Sequence, residues 1–441
     1  MGVAPPESSR GTPAGEAAGA PAGAWTGELE QWVRTRALAE GFDLAGVAPA
    51  PAAAEPAGAL TAERFSNWLA EGYAGEMAYL ARRNEDGELL RRSAREALPW
   101  ARSILVCAAN YNLAGTAELD AGQAAGGPCS LDPAPADRGW IARYAWSGDA
   151  SGEPVDYHDD LLKRLRAVEA ALQKRLGASS ALPAPAIRTK CYVDTGPLLE
   201  RDFAARAGIG WIGRNTCVLN QQLGSWLLLG VIVTSLDLPQ ALLPALAADR
   251  CGSCTRCIDA CPTQALIPER AMDASRCIAY LTIEKKGSID PELRGFMGRQ
   301  VFGCDICQEV CPWNRRAPAG DVWRRREELV NPALQWLASL DQVGFKRMFG
   351  GSPLERTRRP RLQRNIAIAM GNSGDAAFLP QLERWREGDD AVLSETAAWA
   401  IERLRGSASI GAEEGTATDV DVCEESSGEG AVGRREPAGF E

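Results

Sequence analysis

Eight of the thirteen cysteines fall between positions 251 and 311, and their order constrains that part of the chain more than any other feature. The first block, Cys251-Gly-Ser-Cys254-Thr-Arg-Cys257-Ile-Asp-Ala-Cys261-Pro262, reads C-x2-C-x2-C-x3-C-P. The second, Cys304-Asp-Ile-Cys307-Gln-Glu-Val-Cys311-Pro312, repeats its C-x2-C-x3-C-P half, with Cys277 standing alone upstream. This is the ligand pattern of two 4Fe–4S clusters in which the last cysteine of each run crosses over to the other cluster. The spacing assigns Cys251, Cys254, Cys257 and Cys311 to one cluster, and Cys261, Cys277, Cys304 and Cys307 to the second. Soft, anionic thiolates suit iron–sulfur clusters, and the tight spacing lets one loop wrap three corners of a cube. Two four-thiolate zinc sites are the alternative, but this spacing is far more typical of iron–sulfur. A chain of this kind moves electrons; the open question is to what.

With 441 residues, 45% hydrophobic and 24% charged, the chain is long enough for two or three cores. Its longest apolar run, Trp226–Val233, is a strand's length and far below a membrane span. The first residues lack a basic stretch followed by an apolar one, so a cytoplasmic setting with reduced thiols is expected. The single histidine, His158, excludes two-histidine metal sites of every kind. Net charge is −10, yet residues 407–441 carry nine acids against two bases and account for −7 of it. Between Lys346 and Arg364 stand seven bases (Lys346, Arg347, Arg356, Arg358, Arg359, Arg361, Arg364) and one acid, Glu355, a pattern suited either to a solvated helix face or to phosphates.

The hydrophobic pattern divides the chain. Residues 1–25, rich in Ala, Gly and Pro, read as disordered, and 112–139 as a long surface loop. Over 26–245, helical periodicity at Glu28–Gly41 and Asp159–Arg175 alternates with apolar runs at Ser103–Tyr111, Lys190–Asp194 and Trp226–Val233, which suggests an α/β or α+β sheet domain. The cysteine domain spans 246–320. Residues 321–406 hold short amphipathic helices, with Leu362, Ile366 and Met370, then Leu379, Leu382 and Trp385, then Val392, Trp399, Ile401 and Leu404 on successive faces, the texture of a HEAT-like repeat. Residues 407–441 form an acidic tail expected to be disordered.

Flanking motifs narrow the reading. Val193-Asp194-Thr-Gly-Pro-Leu-Leu-Glu200-Arg201, Ala204 to Asn215 with its Gly-Ile-Gly-Trp-Ile-Gly core, Ala142-Arg143-Tyr144-Ala145-Trp146, Asp156-Tyr157-His158 and Arg364-Asn365 surround the cysteines. Together they resemble the epoxyqueuosine reductase family over about 26–405. The resemblance implies an α+β architecture: a nitroreductase-like, cobalamin-binding sheet domain related to that of reductive dehalogenases, a ferredoxin-like two-cluster domain and a HEAT-like helical end. It implies reduction of epoxyqueuosine to queuosine in tRNA, the last step of queuosine biosynthesis, with electrons passing from the Cys251–Cys257 cluster through the second cluster to cobalamin.

By the same resemblance Asp194 matches the family's proton donor, and the cobalamin contacts map to Arg91, Val218 and Leu229 with Asp194 near the reactive face. The basic run would meet the anticodon arm of the tRNA. The protein is expected to act as a monomer with a separate electron donor. The stretch Ser147–Val155 separates two motifs that lie closer together in the family, which leaves the position of Tyr157 and His158 open; the resemblance implies no histidine ligand to cobalt. Two rivals remain on sequence grounds: a reductive dehalogenase-like enzyme with the same cofactors, and a ferredoxin-type electron carrier. The carrier reading leaves some 220 residues of sheet-forming sequence unexplained.

Overall fold

A computed structural model describes residues 23–113, 135–179, 187–268 and 270–413, with side chains up to residue 406. Its centre is a four-stranded sheet of β1 (Leu44–Pro49), β2 (Ser103–Asn110), β3 (Thr189–Tyr192) and β4 (Leu227–Thr234), ordered β1-β2-β4-β3. Every pairing is antiparallel, which makes the domain α+β.

Side chains alternate across the two faces of the sheet with period two. Leu105, Cys107, Ala109 and Ile232 face one way, onto α1 (Gly27–Ala39) and α2 (Tyr157–Ser179). Those helices present Leu29, Val33 and Ala37, and Leu161, Leu165, Val168 and Leu172, at helical spacing. Gly230 is required here: a Cβ at that position would stand 2.7 Å from Leu165 Cδ1, so the helix packs directly on the β4 backbone. Ile104, Val106, Ala108, Val231 and Val233 face the other way, where α3 (Glu200–Arg206) lays Phe203 and Ala204 on them. At seven residues α3 covers only part of that face. Leu227, Leu229 and Tyr192 at the same end of the sheet stay partly exposed as a result.

The cysteine segment is built from short turns, including Arg256–Asp259 and Ile306–Glu309, with small apolar cores of its own. It is tied to the first domain where Gln300–Phe302 runs parallel to Trp140–Ile141. Beyond it, α4 (Arg358–Asn372), α5 (Leu379–Arg386) and α6 (Ala391–Glu413) pack together. The inward face of α6 is Leu393, Ala397, Ala400, Ile401 and Leu404, whereas Val392 and Trp399 are only partly buried.

Several expectations are corrected. Disorder to residue 25 stops too late: Trp25 is fully buried, with its indole N–H donating to Ser103 Oγ at 2.7 Å, and Ala24 pairs with Asp237. Residues 1–22 lie outside the described residues. An indole with a buried partner outweighs the Ala/Gly/Pro composition around it. The acidic tail begins as helix, since α6 continues to Glu413; residues 414–441 lie outside the described residues, as do 114–134 of the long surface loop. Its anchor residues Asn112 and Leu113 are buried. Not all of 321–406 joins the helical end: Arg324–Arg325 pairs antiparallel with Ser147–Gly148. Among the described residues no helix is long and apolar enough to cross a membrane.

Candidate functional site

Asp194 follows β3 in a tight turn rather than lying on the strand. Its backbone is left-handed, at φ 53, and the Thr195 N–H donates to the Val193 carbonyl across it at 2.5 Å. A left-handed aspartate is uncommon and characteristic of turns that aim a side chain. Gly196 lets the chain fold back over Tyr192, whose ring a Cβ would meet at 2.6 Å. The turn leaves the Asp194 side chain 52% exposed on the protein surface.

Tyr157 and His158, at the start of α2, reach that carboxylate. The Tyr157 hydroxyl donates to Asp194 Oδ2 at 2.6 Å, and His158 Nε2 lies 3.6 Å from the same oxygen. The Ser147–Val155 stretch does not displace them. It closes on itself, with Asp149 accepting from the N–H groups of Ser151 and Glu153 and Gly148 bridging Pro154. Burial first, and the neighbouring Asp194 charge second, hold the Tyr157 phenol well above its ordinary pKa, so it acts as a donor. His158 Nδ1 is 3.1 Å from Asp156 Oδ1, and Arg356, from the basic run, donates to both Asp156 oxygens at 2.9 and 3.0 Å. Against burial, which would raise it, hydrogen bonds from His158 and the Arg356 charge keep the Asp156 carboxyl below its usual range. Both histidine nitrogens are thus engaged with protein groups.

Arg91 donates to the Leu198 carbonyl at 3.0 Å, and Leu198, Val218 and Leu229 belong to one apolar cluster at the incompletely covered end of the sheet. Glu200, at the first position of α3, links this cluster to Asp194, because its carboxyl senses the charges of both Asp194 and Arg91. Burial, followed by the Asp194 charge, pushes it up to about 7, and its Oε1 is shut off from solvent with no hydrogen-bond partner. Glu200 stood within a motif noticed in the sequence but drew no role there; its signal, a carboxylate six residues after the turn, acquires meaning only from its burial.

The thiols fall into two neighbourhoods. Cys257 senses Cys251 and Cys254, and Cys311, which burial pushes up to about 11, senses Cys251 and Cys257. Separately, Cys277 senses Cys261, Cys304 senses Cys277, and Cys307 senses Cys304 and Cys277. Burial raises the Cys257, Cys277 and Cys304 thiols. Such groups ionise only when a cation compensates them, which suits iron–sulfur ligands. All eleven described cysteines are free of disulfides. Among the described residues no three His, Cys, Asp or Glu side chains converge on a single ion; four thiolates on the corners of a cube stand further apart than four around one zinc.

The basic run is only partly free. Arg364 is buried and donates to the carbonyls of Leu281, Lys285 and Gly287, and burial lowers its pKa to about 10. Arg361 serves the Ile283 and Thr357 carbonyls, and Arg359 the Leu340 carbonyl. These three are structural, contrary to the expectation of a continuous phosphate-facing patch, because a long guanidinium beside free helix-end carbonyls is drawn onto them. Lys346, Arg347, Arg356 and Arg358 are exposed.

Residues 250–314 match the family of 4Fe–4S double cluster binding domains, and residues 91–195 match the family described as epoxyqueuosine reductase QueG, DUF1730. The chain is 35% identical over 376 residues to the epoxyqueuosine reductase of Xanthomonas campestris pv. campestris, covering 84% of this chain and 94% of that one. The Escherichia coli K12 enzyme is 33% identical over 378 residues, covering 85% and 89%. Among solved structures, an epoxyqueuosine reductase with a tRNA-Tyr epoxyqueuosine-modified stem loop is similar at TM-score 0.69 and 28% identity, over 89% of this chain and 95% of that one. A Bacillus subtilis epoxyqueuosine reductase, captured with a catalytic aspartate loop swung out of its active site, is similar at TM-score 0.68 and 28% identity, over 86% and 90%.

Proposed function

The chain belongs to the epoxyqueuosine reductase family, and from that premise we propose that it reduces epoxyqueuosine to queuosine in tRNA, with Asp194 as the proton donor. The observation that carries the role of Asp194 is its left-handed turn, which presents an exposed carboxylate anchored by Tyr157 beside an uncovered apolar surface. The aspartate loop of the Bacillus subtilis relative supports this reading.

Converting the epoxide to the alkene takes two electrons and two protons and releases water. We assign one 4Fe–4S cluster to Cys251, Cys254, Cys257 and Cys311, and the other to Cys261, Cys277, Cys304 and Cys307; the two thiol neighbourhoods support the crossover. Cobalamin fits the end of the sheet that α3 leaves open. Leu229 and Val218 would meet its apolar face, while Arg91 and the unpartnered Glu200 oxygen suit the amide groups at a corrin edge. When bound, the clusters would supply electrons one at a time and the cobalt a low-valent centre able to deliver two of them.

The protein's part is to position and protonate. Tyr157 and His158 hold the Asp194 carboxyl toward the uncovered surface, and Asp156 and Arg356 fix His158 from behind. A positioned carboxylic acid there protonates the epoxide oxygen as its bond to carbon opens. Arg356, one of the exposed cations of the basic run with Lys346, Arg347 and Arg358, donates to Asp156 of this network, which supports contact between the run and the phosphates of a tRNA anticodon arm. The nitroreductase-like reading of the sheet domain and the HEAT-like reading of α4–α6 belong to this proposal.

The direct test is nucleoside analysis of tRNA from a bacterial strain that lacks its own enzyme and carries this gene. Queuosine replacing accumulated epoxyqueuosine is expected. Persistent epoxyqueuosine, with soluble protein holding both clusters, would refute the assignment.

A further inference from the structure

We infer that the solvent-facing edge of the first cluster, marked by Arg250, Arg256, Arg315 and Arg316, is the docking surface for the electron donor, a small ferredoxin with an acidic face. The inference rests on the crossover assignment, which gives Cys251, Cys254, Cys257 and Cys311 to that cluster.

The two sets of assigned ligands differ in what surrounds them. Beside the cysteines of the first block, Gly252, Ser253, Thr255 and Arg256 are exposed. Beside Cys304 and Cys307, Gly303, Asp305, Ile306 and Gln308 are buried. Electron transfer weakens steeply with distance, so a carrier in solution reaches the first cluster and not the second. Charge differs in the same sense. Arg250 directly precedes Cys251, Arg256 directly precedes Cys257, and Arg315 and Arg316 follow Cys311 by four and five residues. At such separations the chain itself keeps the charges near the sulfurs. All four arginines are exposed, and none has an ion-pair or side-chain hydrogen-bond partner among the described residues. The acids beside them are engaged. Asp249 pairs with Arg270 and accepts from the Cys251 N–H at 2.9 Å, Asp259 accepts from the Thr255 hydroxyl at 2.7 Å, and Glu309 is half-buried.

Next to these cations lies an apolar surface. Trp313 packs edge-on against the buried Trp211, with ring centroids 5.2 Å apart, and both belong to one cluster with Cys311, Cys251 and Ala247. Trp313 is only partly buried, Pro312 is exposed, and Leu246, next to Ala247, is 70% exposed. Arg214 donates to the Gly252 carbonyl at 2.9 Å, which fixes the ligand loop to the hairpin carrying Trp211. A small apolar centre with a charged rim suits a brief encounter, because redox partners bury little area and part after each transfer. Unpaired cations call for an acidic partner and speed its approach by steering. Each encounter oxidises one reduced ferredoxin and adds one electron to the first cluster, so two encounters supply the two electrons that one epoxide consumes. The tRNA phosphates are also anionic, but the modified base must reach Asp194, whose network is joined by Arg356 rather than by these four arginines.

Oxidised anaerobic holoprotein, mixed rapidly with a reduced plant-type ferredoxin of acidic surface and freeze-quenched for electron paramagnetic resonance, tests this. The carrier's 2Fe–2S signal is resolved there from the 4Fe–4S signals. A variant combining Arg250→Glu, Arg256→Glu, Arg315→Glu and Arg316→Glu should accept electrons at least about 10-fold more slowly at low salt. Added salt should slow the parent protein and not the variant. Arg315→Gln with Arg316→Gln should give an intermediate rate, and decides the matter if the reversed variant loses iron. Each intact variant should hold about eight irons per chain, reach the parent's reduced spectrum with excess dithionite, and bind a tRNA stem loop as the parent does. Equal rates for parent and variants would overturn the inference. So would variants that lose stem-loop affinity while reacting normally with ferredoxin, which would give the surface to tRNA. An acidic flavodoxin that reduced the parent faster than ferredoxin would overturn ferredoxin as the occupant. A parent protein with a single cluster would instead overturn the crossover assignment, and this inference with it.

Discussion

Asp194 is exposed by its turn and restrained by one strong contact, the Tyr157 hydroxyl at 2.6 Å. Substituting Asp194→Asn should leave the iron content and the cobalamin spectrum unchanged and lower turnover by about 10²- to 10⁴-fold, the span of general acid catalysis; single-turnover assays on modified tRNA would measure it. Tyr157→Phe removes only the anchor, worth about 1.5–3 kcal/mol for a hydrogen bond to a charged group, and should slow the reaction by roughly 10- to 100-fold. Glu200 makes a different prediction. Its pKa rises from 4.5 unfolded to about 7 folded, through burial and then through Asp194, with Arg91 and Arg201 opposing. The folded state therefore binds the extra proton, and stability contributed by Glu200 is present below pH 4.5 and lost as pH rises to about 7 and beyond. Glu200→Gln should flatten the fall in melting temperature across that window relative to the parent protein.

At the scale of elements, the basic run divides into two sets with opposite consequences. Lys346, Arg347 and Arg358 face solvent, and their joint replacement by alanine should weaken tRNA binding without altering stability. The slope of log affinity against log salt should also become shallower, by about 0.7–0.9 for each phosphate that is no longer neutralised. Binding isotherms at several salt concentrations would show it; an unchanged slope would remove this surface from recognition. Arg364 holds three backbone carbonyls, Leu281 in the last turns of the helix Ile278–Ile283 and Lys285 and Gly287 just beyond it. Arg364→Ala should cost at least about 2 kcal/mol of stability, because buried acceptors lose charged donors, with tRNA affinity affected only through folding.

For the molecule as a whole, the proposed crossover would make distant segments interdependent. Cys311 joins the neighbourhood of Cys251 and Cys257, and Cys261 that of Cys277. Replacing Cys311 by serine should therefore perturb the same resonance signal as replacing Cys251, and Cys261→Ser the same signal as Cys277→Ser. Matching signals for Cys311→Ser and Cys304→Ser would contradict the crossover. The 300–302 and 324–325 segments bind to the sheet domain, so damage to either cluster should also lower the thermal stability of that domain.

The sequence alone was enough for the two-cluster domain, the family and the main strands and helices, because these depend on short-range spacing. Ligand intervals, alternation along β2 and β4 and helical periodicity in α1 and α2 are local properties of the chain. What it could not supply was anything that depended on which groups meet across long separations. Trp25 looked like part of a disordered lead until its indole found Ser103, 78 residues away. Arg364 looked like a phosphate contact until it was seen holding carbonyls about 80 residues earlier. His158 and Glu200 had no legible role, because each derives its role from a partner brought near only by folding. Burial and proximity determine a charged group's behaviour, and both are tertiary quantities.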